Sequence, residues 1–327
     1  MLLVISVGVN LWLAFKLLRK KPDATQSEPA TPVPEATPVN TSPAGSTPEA
    51  VGHFYDAQNA NFLQVYGEVI QAFRTHDITN LLDYTADQIG LQDGWRVLDA
   101  GCGVCGPARY FAVKHQLHID AVTVSEAQVR QSREFIERDG LGSQITVSQG
   151  DFHHLDRQFD HGTYDAVYFL ESFGHARDQQ QVLEAAWDVL KPGGVLYIKD
   201  LFIKEGAFPG HDAAIRQEID NINRAYRYNV ADLNAVLTHL RQKGFILASV
   251  NTIDLPLEDF ENLTISNDFQ ELTGINKIDN LQEYIFPVDF FALKCFKPWH
   301  DLAVGNSRYF LQNLYYLQVE GKKAGDL

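Results

Sequence analysis

A buried strand that ends in an acid and then enters a glycine-rich turn constrains this chain more than any other feature. The segment reads VLDAGCGVCGPAR over residues 97–109. The apolar run predicts a strand that ends near Asp99, followed by a turn with Gly101 and Gly103 and a helix that starts near Pro107. Glycines let a backbone approach a ligand closely, and the N-terminus of the following helix offers unpaired N–H groups. The segment therefore predicts an α/β fold with a ligand at the carboxyl ends of parallel strands.

Asp99 indicates which class of ligand the glycine turn binds. Glycine spacing of the form G-x-G-x-x-G is shared by sites for NAD, FAD and S-adenosylmethionine (SAM) and decides little alone. A carboxylate at Asp99, two residues before Gly101, would repel a pyrophosphate but can accept hydrogen bonds from ammonium and hydroxyl groups. The segment resembles motif I of the class I SAM-dependent methyltransferases. The resemblance implies SAM as cofactor, bound in part by Asp99, Gly101 and Gly103.

Further landmarks of that family follow in the family's order. Gly150-Asp151-Phe152 comes after a strand-like QITVS stretch, YDAVYFL at 164–170 resembles the fourth strand, and LKPGG at 190–194 precedes another apolar run. The resemblance implies that Asp151 receives the adenine amino group and that Phe152 flanks the ring. An ordinary doubly wound domain whose glycines only make turns is the alternative.

Alternation of strand and helix patterns from Trp95 onward predicts the fold class. It is α/β, a Rossmann-like, doubly wound, mostly parallel seven-stranded sheet with helices before it. We predict the last strand at Leu314 to Val319. The stretches 202–229 and 255–312 are rich in Phe and Tyr and are predicted to form an aromatic cover over the substrate.

The N-terminal residues are predicted to lie outside this domain. Residues 1–21 form an apolar run of 18 residues followed by Arg19-Lys20-Lys21, about 27 Å of helix, which is enough for a membrane anchor. The positive charges follow the run, so the rest of the chain would lie on the cytoplasmic side. A helix lying on the membrane surface is the alternative. Residues 22–50 contain seven prolines and no aromatic residue, which predicts an extended linker before a catalytic domain at 51–327.

The composition argues against a nucleic-acid partner and does not determine the oligomeric state. The net charge is −15, which argues against nucleic acid because a duplex attracts a basic surface. Three cysteines, two of them inside the glycine turn, fit a reducing compartment. Nothing in the sequence decides between a monomer and a homo-oligomer.

The second strand indicates which branch of the family the chain resembles. The strand ends in VTVSEAQ at 122–128, where many class I enzymes have an acid that holds the ribose. Thr123, Ser125 and Gln128 replace that acid. This variant resembles the terpenoid and sterol C-methyltransferases, as does the Glu171-Ser172 pair after the fourth strand. Stretches at 54–57 and 222–229 look most like the geranyl diphosphate C-methyltransferases.

Carbon methylation explains the residues that we assign to the reaction. An alkene carbon attacks the methyl group and leaves a carbocation, which aromatic faces stabilise and a carboxylate can stabilise or deprotonate. We predict Glu171 as the base or cation stabiliser, and His175 as the group that orients Glu171 or takes the proton. Tyr55 and Phe173 are candidate cavity walls, although either ring could be ordinary core.

A prenyl diphosphate acceptor would also need cations. Arg216, Arg224 and Arg227 are spaced for one helix face and could clamp a diphosphate, with Mg²⁺ as an additional cofactor in that case. A solvated face is the alternative interpretation, and a neutral lipid is then the better acceptor. No metal ligand is assigned.

Three other functions compete with an isoprenoid C-methyltransferase. One is methylation of a quinol or tocopherol-like ring, an amine or a fatty acyl lipid. Another is a membrane-tethered module that binds SAM without catalysis. An NAD-dependent oxidoreductase fits least well, because of Asp99.

Overall fold

The computed structural model describes residues 47–205, 210–256, 259, 264–278, 280 and 284–299. The helices are α1 (Pro48–Tyr66), α2 (Ile78–Ile89), α3 (Gly106–His115), α4 (Glu126–Arg138), α5 (Leu155–Gln158), α6 (Gln179–Val189), α7 (Asp212–Tyr226), α8 (Leu233–Lys243) and α9 (Thr264–Thr273). The strands are β1 (Arg96–Ala100), β2 (His118–Thr123), β3 (Ile145–Gln149), β4 (Tyr164–Leu170), β5 (Leu190–Ile203), β6 (Ile246–Asn251) and β7 (Val288–Phe296). Single 3₁₀ turns lie at Phe152–His154 and Phe173–His175.

The seven strands form one sheet in the order β3-β2-β1-β4-β5-β7-β6. The first five strands in the chain run parallel, and β7 pairs antiparallel with both β5 and β6. The strand order reverses between β1 and β4, where the two following connections leave on opposite faces. A crevice at the carboxyl ends of these strands is the expected ligand position in such a sheet.

Alternating side chains bury the sheet on both faces. Val97 belongs to the apolar cluster that contains α2, α3 and α4, whereas its neighbour Leu98 belongs to the cluster of α5, α6 and α8. This is the period of two that a strand imposes. The predicted doubly wound, mostly parallel seven-stranded sheet is confirmed.

Polar caps fix where the helices begin. The side chain of Thr47 accepts a hydrogen bond from the N–H of Ala50 at 3.2 Å, and Pro48 is the first residue of α1. Helix α1 therefore begins before residue 51, where the catalytic domain was predicted to start. It leads directly into the site described below.

Part of the predicted cover belongs to the sheet instead. Strand β7 lies inside the stretch 255–312, so the prediction that this whole stretch covers the substrate was wrong. It pairs with β5 along one edge and with β6 along the other, so it lies inside the sheet. The predicted strand at Leu314 to Val319 lies outside the described residues, as do the predicted anchor at 1–21 and most of the linker. Among the described residues, no helix combines the length and apolarity needed to cross a bilayer.

Candidate active site

The glycine turn closes tightly over the end of β2. The N–H groups of Gly101 and Cys102 both donate to the carbonyl of Val122 at 2.9 Å. Gly101 has φ +90°, and a Cβ there would lie 2.4 Å from Cβ of Ser172. Both facts require glycine at this position.

Asp99 stands at the end of β1 beside this turn. Its side chain is buried, and burial raises its pKa to about 7 because a desolvated carboxylate is costly. A cationic or hydroxyl-bearing ligand would favour the ionised form. The cavity that Asp99 lines is therefore suited to a ligand with a positive group.

Ten of the predicted site residues line this same cavity. They are Tyr55, Asp99, Gly101, Gly103, Thr123, Gln128, Asp151, Phe152, Glu171 and His175. They lie on α1, at the carboxyl ends of β1, β2, β3 and β4, on the turns that follow these strands, and on the first turn of α4. The predicted residues that do not line it are Ser125, Phe173, Arg216, Arg224 and Arg227.

Ser125 has a structural task next to the cavity. Its Oγ accepts the N–H of Gln128 at 3.1 Å as the N-cap of α4, and it donates to Oδ1 of Asp56 at 2.7 Å. Thr123 donates to Oε1 of Gln128 at 2.6 Å. Ser125 thus shapes the turn and ties it to α1, while Thr123 and Gln128 face the cavity.

Asp151 lies at the far end of the cavity from Glu171 along the sheet order. Its Oδ1 accepts the backbone N–H of His153 at 2.9 Å and lies 2.5 Å from Nδ1 of that ring. Burial raises the pKa of Asp151, but these bonds outweigh burial and leave the pKa below its usual value. Asp151 is therefore an ionised acceptor, with the Phe152 ring beside it.

Glu171 lies at the cavity wall beside groups that stabilise its charge. Oε1 lies 2.5 Å from Nζ of Lys199, and Oε2 accepts the N–H of Ala72 at 2.6 Å. The side chains of Glu171 and Lys199 are 5% and 1% exposed, so this is a buried ion pair. Glu171 also has φ +56°, a strained conformation for a residue with a side chain.

The contacts of Glu171 and Lys199 fasten one wall of the cavity. We call residues 68–73 the 68–73 loop; Glu68, Ile70 and Gln71 line the cavity. Lys199 donates to Oε1 of Gln71 at 2.6 Å. At the other end of the loop, Glu68 pairs with Arg109 and with Arg138.

Tyr55 and His175 form a buried hydrogen-bonded pair. The Tyr55 oxygen lies 2.8 Å from Nε2 of His175, and Nδ1 of that ring lies 3.1 Å from the carbonyl of Arg227. A carbonyl only accepts, so Nδ1 carries the proton and Nε2 accepts from the Tyr55 hydroxyl. Burial lowers the pKa of His175 to about 4, although the bond to Arg227 opposes this. His175 is therefore neutral near pH 7, and it lines the cavity beside Tyr55.

Phe173 and the predicted arginine clamp occupy other places. Phe173 is fully buried in the core, 5.7 Å from the ring of Phe169. Arg216 and Arg224 are exposed on α7, and Arg227 follows the last helical residue with φ +59°. The prediction that all three share one helix face was wrong, because the helix ends before Arg227.

Lys199 and Asp200 are charged residues beside the cavity that were not predicted from the sequence. Both are charged, buried and consecutive, and they follow the apolar run VLYI of β5. Two consecutive charged residues inside an otherwise apolar strand are the signal that could have found them. Within the described residues, no three His, Cys, Asp or Glu side chains come together as a metal-ion group would require.

The sheet order, the glycine turn and the cavity at the switch point define a Rossmann-like domain with the methyltransferase arrangement. Residues 97–194 match the family model described as a methyltransferase domain. This match confirms, over these residues, the resemblance to methyltransferases that the motifs predicted. It spans the glycine turn, Asp151 and Glu171.

Curated relatives support the same branch of the family. The chain is 37% identical over 112 residues to the sterol 24-C-methyltransferase of Aspergillus fumigatus, covering 34% of this chain and 29% of that protein. It is 34% identical over 144 residues to a sterol 24-C-methyltransferase of Gibberella zeae, covering 44% of this chain and 34% of that protein. The chain thus spans about a third of the length of these relatives. The predicted likeness to the terpenoid and sterol branch is confirmed.

Solved structures confirm the fold over a longer stretch. The [4+2]-cyclase SpnF has a TM-score of 0.64 at 20% identity, covering 78% of this chain and 97% of that chain. Geranyl diphosphate C-methyltransferase from Streptomyces coelicolor has a TM-score of 0.58 at 15% identity, covering 78% and 100%. At these identities the likeness concerns the fold.

Proposed function

We propose that this protein is an enzyme that transfers the methyl group of SAM to an alkene carbon of an uncharged isoprenoid lipid. The observation that carries the proposal is that one cavity is lined both by the glycine turn and by Tyr55, Glu171 and His175. A cofactor site and a set of groups suited to a cation thus share one space. The similarity to sterol C-methyltransferases supports the same class of reaction.

The cavity residues fit SAM. When bound, SAM supplies an electrophilic methyl group on a sulfonium ion. Asp99 and Asp151 offer carboxylates for the ammonium, hydroxyl or adenine amino groups, and Thr123 and Gln128 add neutral polar atoms. The absence of a Cβ at Gly101 lets the turn pack against Ser172 and keeps its backbone at the cavity wall.

The charges around the cavity favour an uncharged acceptor. Among the described residues that line it are the acids Glu68, Asp99, Asp151 and Glu171, and none is Lys or Arg. The nearby Lys199 is already paired with Glu171. A diphosphate would meet acids without free cations, which costs free energy.

The contacts of Glu171 favour electrostatic stabilisation over proton abstraction. Its carboxylate already accepts hydrogen bonds from Nζ of Lys199 and from the N–H of Ala72, and these donors engage lone pairs that a base would use. It contributes a fixed negative charge toward the carbocation and holds the 68–73 loop in place.

Tyr55 and His175 supply a route for the proton. The Tyr55 oxygen takes a proton from the carbon next to the cation while its own proton passes to Nε2 of His175. The hydrogen bond from Nδ1 to the Arg227 carbonyl, at the C-terminus of α7, stabilises the resulting imidazolium. The products are an alkene and a protonated His175, which then releases its proton.

The N-terminal residues extend the proposal to location. An anchor at 1–21 and a linker at 22–50 would hold the domain at the cytoplasmic surface of a membrane, where a lipid acceptor is available.

Methyl-labelled SAM tests the proposal with the full chain in detergent. We expect label on carbon in a sterol or another uncharged isoprenoid, and little with geranyl or farnesyl diphosphate, with or without Mg²⁺. Mass spectrometry of the products identifies the acceptor and the atom that carries the label. Label on an aromatic ring, nitrogen, oxygen or a fatty acyl chain would contradict isoprenoid methylation, and preference for a diphosphate would contradict an uncharged acceptor.

The variant Tyr55→Phe tests the proton route. It keeps the ring and removes only the hydroxyl that is hydrogen-bonded to Nε2 of His175. We expect kcat to fall by about 100-fold, the order of general acid–base contributions, with unchanged affinity for S-adenosylhomocysteine. The control is Tyr110→Phe, whose hydroxyl contacts Asp83 away from the cavity. A Tyr55→Phe enzyme with wild-type kcat would exclude this route.

A further inference from the structure

Two consecutive buried charges on β5 serve different parts of the site. Neighbouring side chains of a strand point to opposite faces. Lys199 reaches Glu171 and the 68–73 loop, as described above. Asp200 lies on the other face, where its Oδ2 accepts the N–H of Gly174 at 3.0 Å and its Oδ1 accepts the N–H of Leu201 at 2.8 Å.

Asp200 is fully buried, and its hydrogen bonds come from backbone amides. Burial raises its pKa to about 7, while the two N–H groups lower it in part. Burying a carboxyl group costs free energy unless hydrogen bonds or nearby charges compensate it. The contacts of Asp200 indicate what it does in the site.

Gly174 is the middle residue of the Phe173–His175 turn, so Asp200 holds this turn from behind. A Cβ at Gly174 would lie 2.3 Å from the ring of Tyr228 and 3.4 Å from Oδ1 of Asp200, so the turn has no room to shift toward them. The Tyr228 ring in turn packs 4.1 Å from the ring of His175. The bond between Asp200 and Gly174 therefore helps to position His175, together with the bond from the Asn229 N–H to the Gly174 carbonyl at 2.6 Å.

The negative charge of Asp200 also reaches the proton route. The pKa values of Tyr55 and Tyr228 are raised, first by burial and next by the charge of Asp200. The other charged groups around Asp200 are Glu171 and Lys199, which neutralise each other. Of the two carboxylates, Glu171 has an ion-pair partner in Lys199, whereas Asp200 has none among the described residues.

We propose that Asp200 is a positioning residue that holds the Phe173–His175 turn so that Nε2 of His175 meets the Tyr55 hydroxyl, and that its charge favours the imidazolium of His175. The first part concerns geometry and stands alone. The second part rests on the proposed function, because it needs a proton to arrive at His175.

Nitrogen-15 NMR of the His175 ring tests the geometric part without any acceptor. The full chain is loaded with S-adenosylhomocysteine, and the His175 signals are assigned by their loss in His175→Asn. Asp200→Asn keeps an oxygen for the Gly174 N–H, so we expect one tautomer with the proton on Nδ1, as in wild type. Asp200→Ala removes that oxygen, and we expect a mixture of tautomers. Unchanged His175 signals in Asp200→Ala would overturn the positioning role.

The pH dependence of kcat tests the charge. The carboxylate form is the helpful one, so wild-type kcat should rise as pH increases through about 7. We expect Asp200→Asn to lose this rise and to be about tenfold slower at about pH 8. Asp99 has a similar pKa but lines the cofactor cavity, so its titration enters the KM for SAM. A wild-type pH profile in Asp200→Asn would overturn the charge role.

The matched control is Asp178→Asn. Asp178 is an exposed N-cap of α6 that accepts the N–H of Gln181 at 3.0 Å, and asparagine caps equally well. It should keep both the rate and the pH profile of wild type. If wild type methylates no acceptor, the proposed function fails while the NMR result still decides the positioning role.

Discussion

Replacing Gly101 with alanine is expected to remove SAM binding, with a loss of affinity of at least about 100-fold, or roughly 2.7 kcal/mol. The new Cβ would lie 2.4 Å from Cβ and 2.7 Å from Oγ of Ser172, at a φ of +90°. Neither Ser172 nor the backbone at Gly101 can move easily to relieve this contact. Ser172 is fixed by its bond to the carbonyl of Ala100 at 2.6 Å, and Gly101 by its bond to Val122. The measurement is calorimetric titration with SAM and with S-adenosylhomocysteine.

Two other glycines separate the causes of this effect. Gly142 has open space and no left-handed φ, so Gly142→Ala should change neither affinity nor stability. Gly140 has φ +70° but also open space, so Gly140→Ala should lower the melting temperature and leave affinity unchanged. Circular dichroism checks that each variant is folded. Binding by Gly101→Ala within about threefold of wild type would show that the close approach to Ser172 does not control the cofactor site.

The parts that the sequence predicted depend on local patterns. The strand, acid and glycine turn at Asp99 and Gly101 are contiguous, and their geometry follows from backbone sterics. The cap at Ser125 also needs only its own helix, yet the sequence analysis assigned that side chain to the ligand. A hydroxyl before a helix serves both purposes equally well in sequence, and only the structure shows that it bonds to Gln128 and Asp56.

The contacts that were not predicted join residues far apart in the sequence. Tyr55 and His175 are 120 residues apart, and Glu171 and Lys199 are 28 residues apart. No periodicity within a single element signals such pairs. The end of α7 at Arg227 is similar, because a residue other than glycine adopts the left-handed conformation there and gives no stop signal in sequence.

Breaking the buried ion pair is expected to give the largest loss of stability. Lys199→Met leaves the Glu171 carboxylate buried without its cation, and we expect a loss of about 3–5 kcal/mol in the free energy of unfolding. Glu171→Gln leaves Lys199 buried with Gln71 and the Phe73 carbonyl as acceptors and should also destabilise. The double variant Glu171→Gln/Lys199→Met removes both charges and should recover part of the loss. Urea unfolding of the four proteins gives the coupling energy.

The same variants distinguish the two roles of Glu171. A base should become stronger when its neutralising lysine is removed, so Lys199→Met would keep or raise kcat while Glu171→Gln abolishes it. A fixed charge that fastens the 68–73 loop needs both partners, so each single variant should lose methyl transfer. We expect the second pattern, because Ala72 and Gln71 both depend on the pair. Lys191→Met is the matched control, since Lys191 lies on the same strand in a partly exposed pair with Asp165 and should cost less than about 1 kcal/mol. Retention of kcat in Lys199→Met with loss in Glu171→Gln would instead assign proton abstraction to Glu171.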